Sequence, residues 1–365
     1  MNIALSTIAT LQNPKESAHI TTINFAKELK KQGHNVYIIT PKPKNTKENS
    51  TIIDNITIYH PYRFPILSKL LSHPLAIRKL QKEKNIKIDI IHSFSATPFF
   101  ALNTYLSKLF TKNAKTIHTI KSYSREKNGN KGTFFLKLVD MVTVPTKIHA
   151  TKLSLPQNKT NIIYSPINVE KFQPKDKTKL KEKYHYQNKK IILYYGALWD
   201  NKGVDNLIKA IPSLIKEKKD FFFLFLPRYT NIEQQKKLIK ELKVEENVKF
   251  ITSDVIIEDY VNLADVVVLP YKNLLGTEGN PSCLIEALAC KTPVVTTSLP
   301  ELQELFDTCT LMAIPENIQS LAEKIKEALT PVERMVETGF QKAKEFDQQK
   351  IAQEFMDIYQ NLQKN

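Results

Sequence analysis

Short β-rich apolar runs alternate with amphipathic helical stretches along nearly the whole chain. That alternation confines the fold to a mostly parallel sheet covered by helices. In the first half the expected strands are Asn2–Ile8, Asn35–Thr40, Ile88–His92, Lys115–Thr119 and Met141–Val144. A helix from about His19 to Gln32 separates the first two, with Ile20, Ile23, Phe25, Ala26 and Leu29 on its apolar face and Gly33 as its C-cap. The second half repeats the scheme, with strands at Lys190–Tyr195, Phe221–Leu226, Val248–Ile251, Asp265–Leu269 and Pro293–Thr297. The helices between them are expected at Val204–Ile215, Ile232–Leu242 and Ser282–Ala289. The polar stretch Gln173–Lys179 reads as a hinge, and a final helix runs from Gln349 to Leu362 with Ile351, Phe355, Ile358 and Leu362 on one side. Two doubly wound α/β domains facing each other across a cleft, with ligands at the carboxyl ends of their strands, is the economical arrangement.

Length and absences narrow the chemistry. A chain of 365 residues can bury two ordinary cores. Its three cysteines, Cys283, Cys290 and Cys309, make no disulfide framework and match no zinc spacing, which favours a reducing compartment. The start of the chain lacks the pattern of a signal peptide. The longest apolar run, Phe221–Leu226, is far short of the roughly 18 residues of a membrane span. No glycine precedes Gly33, so the first strand lacks a Gly-x-Gly-x-x-Gly fingerprint, and no Walker A sequence occurs. No Asp-x-Asp pair is present to chelate a metal, and none is expected in the site.

The net charge of +16 is unevenly placed: residues 1–170 carry 25 Lys+Arg against 9 Asp+Glu, whereas residues 171–365 carry 28 of each. A lysine-rich bias that only aids solubility would have touched both halves. A one-sided field attracts nucleic acid, anionic headgroups or a phosphorylated substrate. Residues 62–71 and 75–80 mix apolar and basic residues as an interfacial helix would, though Pro74 interrupts them and a helix covering the core fits equally well.

The stretch from Thr277 to Val295 carries the most chemistry. Asn280 suits an N-cap and Pro281 the first helical position. Leu284, Ile285, Leu288 and Ala289 then share a face. Glu286 points elsewhere, roughly 8 Å along the axis. A helix N-terminus offers backbone donors to an anion and suits a diphosphate. Glu278 before it and Glu286 within it can reach hydroxyls on either side of that group. The plainer reading makes Glu278 a partner of the helix dipole and Glu286 a solvated polar-face residue.

The block Glu278-Gly279-Asn280-Pro281-x4-Glu286-Ala287-Leu288-Ala289-Cys290-x-Thr292-Pro293-Val294-Val295 resembles the signature of glycosyltransferase family 4, retaining enzymes of GT-B fold. Weaker landmarks follow in the family's order along nearly the whole chain: Leu29-x3-Gly33-His34-x-Val36, Asp89–His92, Thr116–Thr119, Asn161–Phe172 and Tyr195-Gly196-Ala197-Leu198-x3-Lys202-Gly203-Val204. The resemblance implies an acceptor-binding Rossmann-like domain at 1–168 and a nucleotide-sugar-binding one at 169–348. It further implies a C-terminal helix, 349–365, returning to the first. It implies that Glu278 holds hydroxyls of the donor sugar, that Glu286 holds the ribose and that Lys202 neutralises the departing diphosphate. Gly196, Gly279, Asn280, Pro281 and Ser282 complete the donor side, with amides near Gly279 and Ser282 lining the sugar. His118 would touch the sugar or acceptor near the reacting carbon, and His19, His92 and Lys121 are acceptor-side candidates.

The chain departs from the family in three places. Asn13–His19 replaces a glycine-containing loop, Ala197 stands where an arginine commonly follows the glycine, and Lys291 occupies a usual glycine position. Arg228 is a candidate to compensate for Ala197. The function implied is transfer of a hexosyl group from a UDP- or GDP-sugar to a glycan or lipid-linked acceptor, with retention, without metal or cofactor. The protein is expected in the cytoplasm, at most peripheral on the inner face of the cytoplasmic membrane. A nucleotide-sugar epimerase of the same fold, a glycoside hydrolase using the two glutamates and a basic nucleic-acid binder are the rivals. Nothing about Lys202-Gly203 suits the hydrolase, and no nucleic-acid motif accompanies the charge.

Overall fold

The computed structural model describes residues 1–7, 11, 17–43, 46–60, 62, 71–123, 132–229 and 231–364. The chain divides into two compact units. The first comprises Met1–Pro166, Leu275–Gly279 and Gln348–Asn365, and the second Ile167–Leu274 and Asn280–Asp347. Most of the loop 13–19 and of the basic-apolar stretch 62–71 lies outside the described residues.

In the first unit, β1 (Asn2–Thr7), β2 (Asn35–Ile39), β3 (Ser50–Ile53), β4 (Ile56–Tyr59), β5 (Ile90–Phe94), β6 (Lys115–Thr119), β7 (Met141–Val144) and β8 (Thr160–Ile162) form one sheet. Their order is β3-β4-β2-β1-β5-β6-β7-β8, parallel except for the β3–β4 hairpin. Ile3, Ala4, Leu5, Ile90 and Ile91 have no exposed surface, as central strands covered on both faces require. The hairpin turns on Asp54 and Asn55, both at positive φ, the geometry that matches the twist of its strands. β5 runs two residues further than expected, which places His92 inside the strand. The helix Ser17–Lys31 buries Ile23, Phe25, Ala26 and Leu29, but Ile20 is exposed instead of joining that face. Against it packs the helix Gln348–Lys364, whose Ile351, Ala352, Phe355, Met356 and Tyr359 share a core with Ile3, Leu5 and Phe25.

In the second unit, β9 (Lys190–Gly196), β10 (Phe221–Pro227), β11 (Val248–Phe250), β12 (Val266–Val268), β13 (Val294–Thr297) and β14 (Leu311–Ala313) are all parallel. Their order, β11-β10-β9-β12-β13-β14, is that of a Rossmann sheet and reverses direction between β9 and β12. Ligands of such sheets bind at that switch, outside the carboxyl ends of the strands. The expected hinge at Gln173–Lys179 is not one. Lys175 pairs with Asp259 at 2.7 Å, the Gln173 carbonyl accepts from Asn262, and Asp176 caps the helix Lys177–Lys183. The chain changes unit at Pro166–Ile167, on either side of Leu275–Gly279 and again at Asp347–Gln348.

Candidate functional site

The helix Ser282–Ala289 starts at the switch point of the second unit. Asn280 is not its cap. Pro281 takes the N-cap position with φ −60 and ψ 128, and Asn280 is fully buried instead. Proline's fixed φ is compatible with the extended residue that precedes a helix, so the start moves one residue on. Leu284, Ile285, Leu288 and Ala289 are buried. Glu286, on the other side, is not a solvated residue either. Burial pushes its carboxyl up to about 7, although Tyr195, Lys171 and Arg228 pull the other way. The Tyr195 hydroxyl donates to the Cys283 carbonyl at 2.6 Å, so the end of β9 is tied to the first turn of the helix.

The loop after β9 is shaped by two glycines. Gly196 has φ +132, and a Cβ there would meet only ordinary contacts, so its backbone conformation is what calls for glycine. Gly203 has φ +67, and a Cβ would fall 1.8 Å from the Pro270 carbonyl oxygen. Between them Ala197 is buried and its carbonyl accepts from the Tyr194 hydroxyl. Lys202 places its ammonium 4.9 Å from the centroid of the Tyr271 ring. Beside Gly196, the Arg228 amide donates to the Gly196 carbonyl at 2.8 Å. Cys283, in the first helical turn, feels both the Arg228 and the Lys202 charge. The second unit therefore gathers two cations, a helix start and a half-buried carboxyl.

Glu278 belongs to the first unit, and Glu286 to the second. Leu275–Gly279 runs beside the segment after β6, with bridges Ser122–Glu278 and Tyr123–Leu275. The Gly279 amide donates to the Lys121 carbonyl at 3.2 Å, which engages a group expected to line a sugar. A Cβ at Gly279 would lie 2.6 Å from Cε1 of His149, itself stacked on Tyr123 at 4.1 Å. Lys121 donates to Thr21 Oγ1 at 3.1 Å and lies 5.2 Å from the Phe94 ring centroid. Burial lowers its pKa and Glu278 opposes that shift. A cavity beside it is lined by Thr21, Phe94, Thr119, Lys121, Tyr164 and Ser165.

The three histidines are buried within the first unit. His118 is wholly enclosed, with Nδ1 2.7 Å from Ser93 Oγ, and burial lowers its pKa to about 3 against a nearby Thr97 backbone hydrogen bond. His92, also enclosed, bridges Tyr359 and Thr119 at 2.6 Å each. His19 bonds the Leu11 carbonyl at 2.7 Å. All three knit the first unit together. Tyr195, Tyr271, Tyr123 and His149 were not anticipated in either cluster. Tyr195 opens the Gly196 landmark itself, whereas nothing in the sequence links His149 to Gly279.

Residues 18–171 match the model of Glycosyltransferase Family 4, and residues 176–344 that of Glycosyl transferases group 1. An uncharacterized glycosyltransferase of Haemophilus influenzae is 30% identical over 281 residues, 75% of this chain and 74% of its own. The chain belongs to glycosyltransferase family 4. A putative teichuronic acid biosynthesis glycosyltransferase of Bacillus subtilis, TuaC, is 24% identical over 82% of this chain and 81% of its own. Among solved structures, HepE of Anabaena in complex with UDP has the same fold, with a TM-score of 0.80 over 99% of this chain and all of that one at 17% identity. The fold of this glycosyltransferase is thus GT-B. No described helix is long and apolar enough to cross a membrane.

Proposed function

We propose that this glycosyltransferase moves a hexosyl group from a UDP- or GDP-sugar to a hydroxyl of a glycan or lipid-linked acceptor, with retention at the anomeric carbon. One observation carries the reading: Lys202, Arg228 and Glu286 gather around the first turns of the helix Ser282–Ala289, at the switch point of a Rossmann sheet. The helix start and Lys202 hold the diphosphate, whose negative charge grows as the glycosidic bond breaks. Glu286 accepts hydroxyls of the ribose. Glu278 holds hydroxyls of the sugar, and Lys121, its cationic neighbour, faces the acceptor. His118 receives no contact in this scheme, because its ring is enclosed.

The acceptor hydroxyl attacks from the face that the phosphate leaves, and a phosphate oxygen takes its proton. The scheme needs neither a protein nucleophile nor a metal, which suits a sequence without an Asp-x-Asp pair. The UDP complex of HepE supports a nucleotide ligand, and TuaC, named for teichuronic acid biosynthesis, supports a glycan product. Calorimetric titration with UDP and GDP tests the reading in the presence of a chelator. One of the two is expected to bind, and Lys202→Ala to weaken it by about tenfold or more. Binding of neither, or binding indifferent to Lys202, contradicts it.

A further inference from the structure

We infer that Arg228 supplies the second positive charge on the donor diphosphate, from the end of β10 instead of from the loop after β9. The inference rests on the donor reading above and adds a residue to it. Parallel pairing sets Pro227 of β10 opposite Gly196 of β9, so Arg228 is the residue that the register carries alongside Ala197. The Arg228 amide fixes that position by donating to the Gly196 carbonyl at 2.8 Å. Ala197 itself offers only a buried methyl, and its carbonyl is taken by Tyr194.

The two loops continue side by side. Trp199, after β9, and Tyr229, after β10, bring their rings to 6.1 Å at an angle of 31°. Gly196 in turn lies against the helix start, where a Cβ built on it would be 3.9 Å from Cys283 Sγ. Arg228 is therefore held next to the first turn of the helix Ser282–Ala289. Its charge reaches Cys283, Glu286 and Tyr271, which surround that turn. Among the described residues no carboxylate lies in ion-pair contact with it, so the guanidinium is available to a ligand. A guanidinium also offers two parallel donors to phosphate oxygens, which Lys202 cannot. A backbone that places arginine at the end of β10 needs none after Gly196.

Calorimetry with UDP, GDP, uridine and guanosine on the full chain separates the possibilities. Arg228→Ala is expected to lower affinity for the bound diphosphate by roughly 10- to 100-fold and leave that of its nucleoside within about twofold. Arg228→Lys should fall between. Adding Ala197→Arg to Arg228→Ala should recover at least about tenfold. If the wild type binds a diphosphate and Arg228→Ala binds it equally well, or loses the nucleoside in the same proportion, Arg228 is not a diphosphate ligand. Failure of Ala197→Arg to rescue overturns the claim that the two positions serve one contact. A wild type that binds neither diphosphate overturns the donor reading and this assignment with it.

Discussion

Opposing influences meet on Glu286. Burial favours its neutral form, while Tyr195, Lys171 and Arg228 favour the charged one, and the carboxyl settles at about 7. Because that value lies above the 4.5 of an unfolded chain, its contribution to stability is complete below about pH 4.5 and is lost as pH rises through 7. Nucleotide binding has the opposite sign. In the proposed complex the charged carboxylate accepts hydrogen bonds from two ribose hydroxyls, so affinity should fall below about pH 7, approaching tenfold per unit if donor binding needs the ion. Calorimetry from about pH 5.5 to 8.5 should show that slope in the wild type and a flat profile in Glu286→Gln. An unchanged slope in the variant would remove Glu286 from the site.

Among elements, the loop from Gly196 to Gly203 is the one whose shape admits least change. At Gly203 a positive φ and a backbone oxygen at 1.8 Å from any Cβ exclude a side chain together. Gly203→Ala is expected to cost roughly 3 kcal/mol or more and to abolish nucleotide binding. Denaturant unfolding read in parallel with UDP or GDP titration checks both, and a variant of wild-type stability contradicts the account. The strands and the helix Ser282–Ala289 were legible because period, capping and apolar runs are local signals. The β3–β4 hairpin was present in the sequence too, since Asp54-Asn55 separates two alternating runs, but a two-residue turn is easily passed over. What local signals do not carry is partnership across sequence. Leu275–Gly279 reads as a lead-in to the next helix, yet it pairs with Ser122 and Tyr123 about 150 residues earlier. His118 and His92 sit in the family's pattern at strand ends, and only the folded structure shows that they face Ser93, Thr119 and Tyr359. Arg228 is named from the sequence only as one candidate to replace the charge missing at Ala197, and the parallel pairing of β9 with β10 gives it a position beside that residue.

For the molecule as a whole, the surplus of basic residues falls within the first 170, and the cluster around the helix Ser282–Ala289 lies in the neutral remainder. That division suits a first unit that meets an anionic acceptor or membrane surface and a second that grips the nucleotide. Vesicles containing anionic lipid should retain the protein at low salt and release it at about 0.5 M; retention that ignores lipid charge would leave the asymmetry without this role. The central claim, a sugar transferase with the nucleotide of its donor held in the second unit, is tested most directly by turnover. The purified chain is incubated with a panel of UDP- and GDP-sugars, and nucleotide release is followed in the wild type and in Glu286→Ala. The account predicts release from at least one donor and a loss of about 100-fold or more in the variant. No release from any donor, or a variant indistinguishable from the wild type, would contradict it.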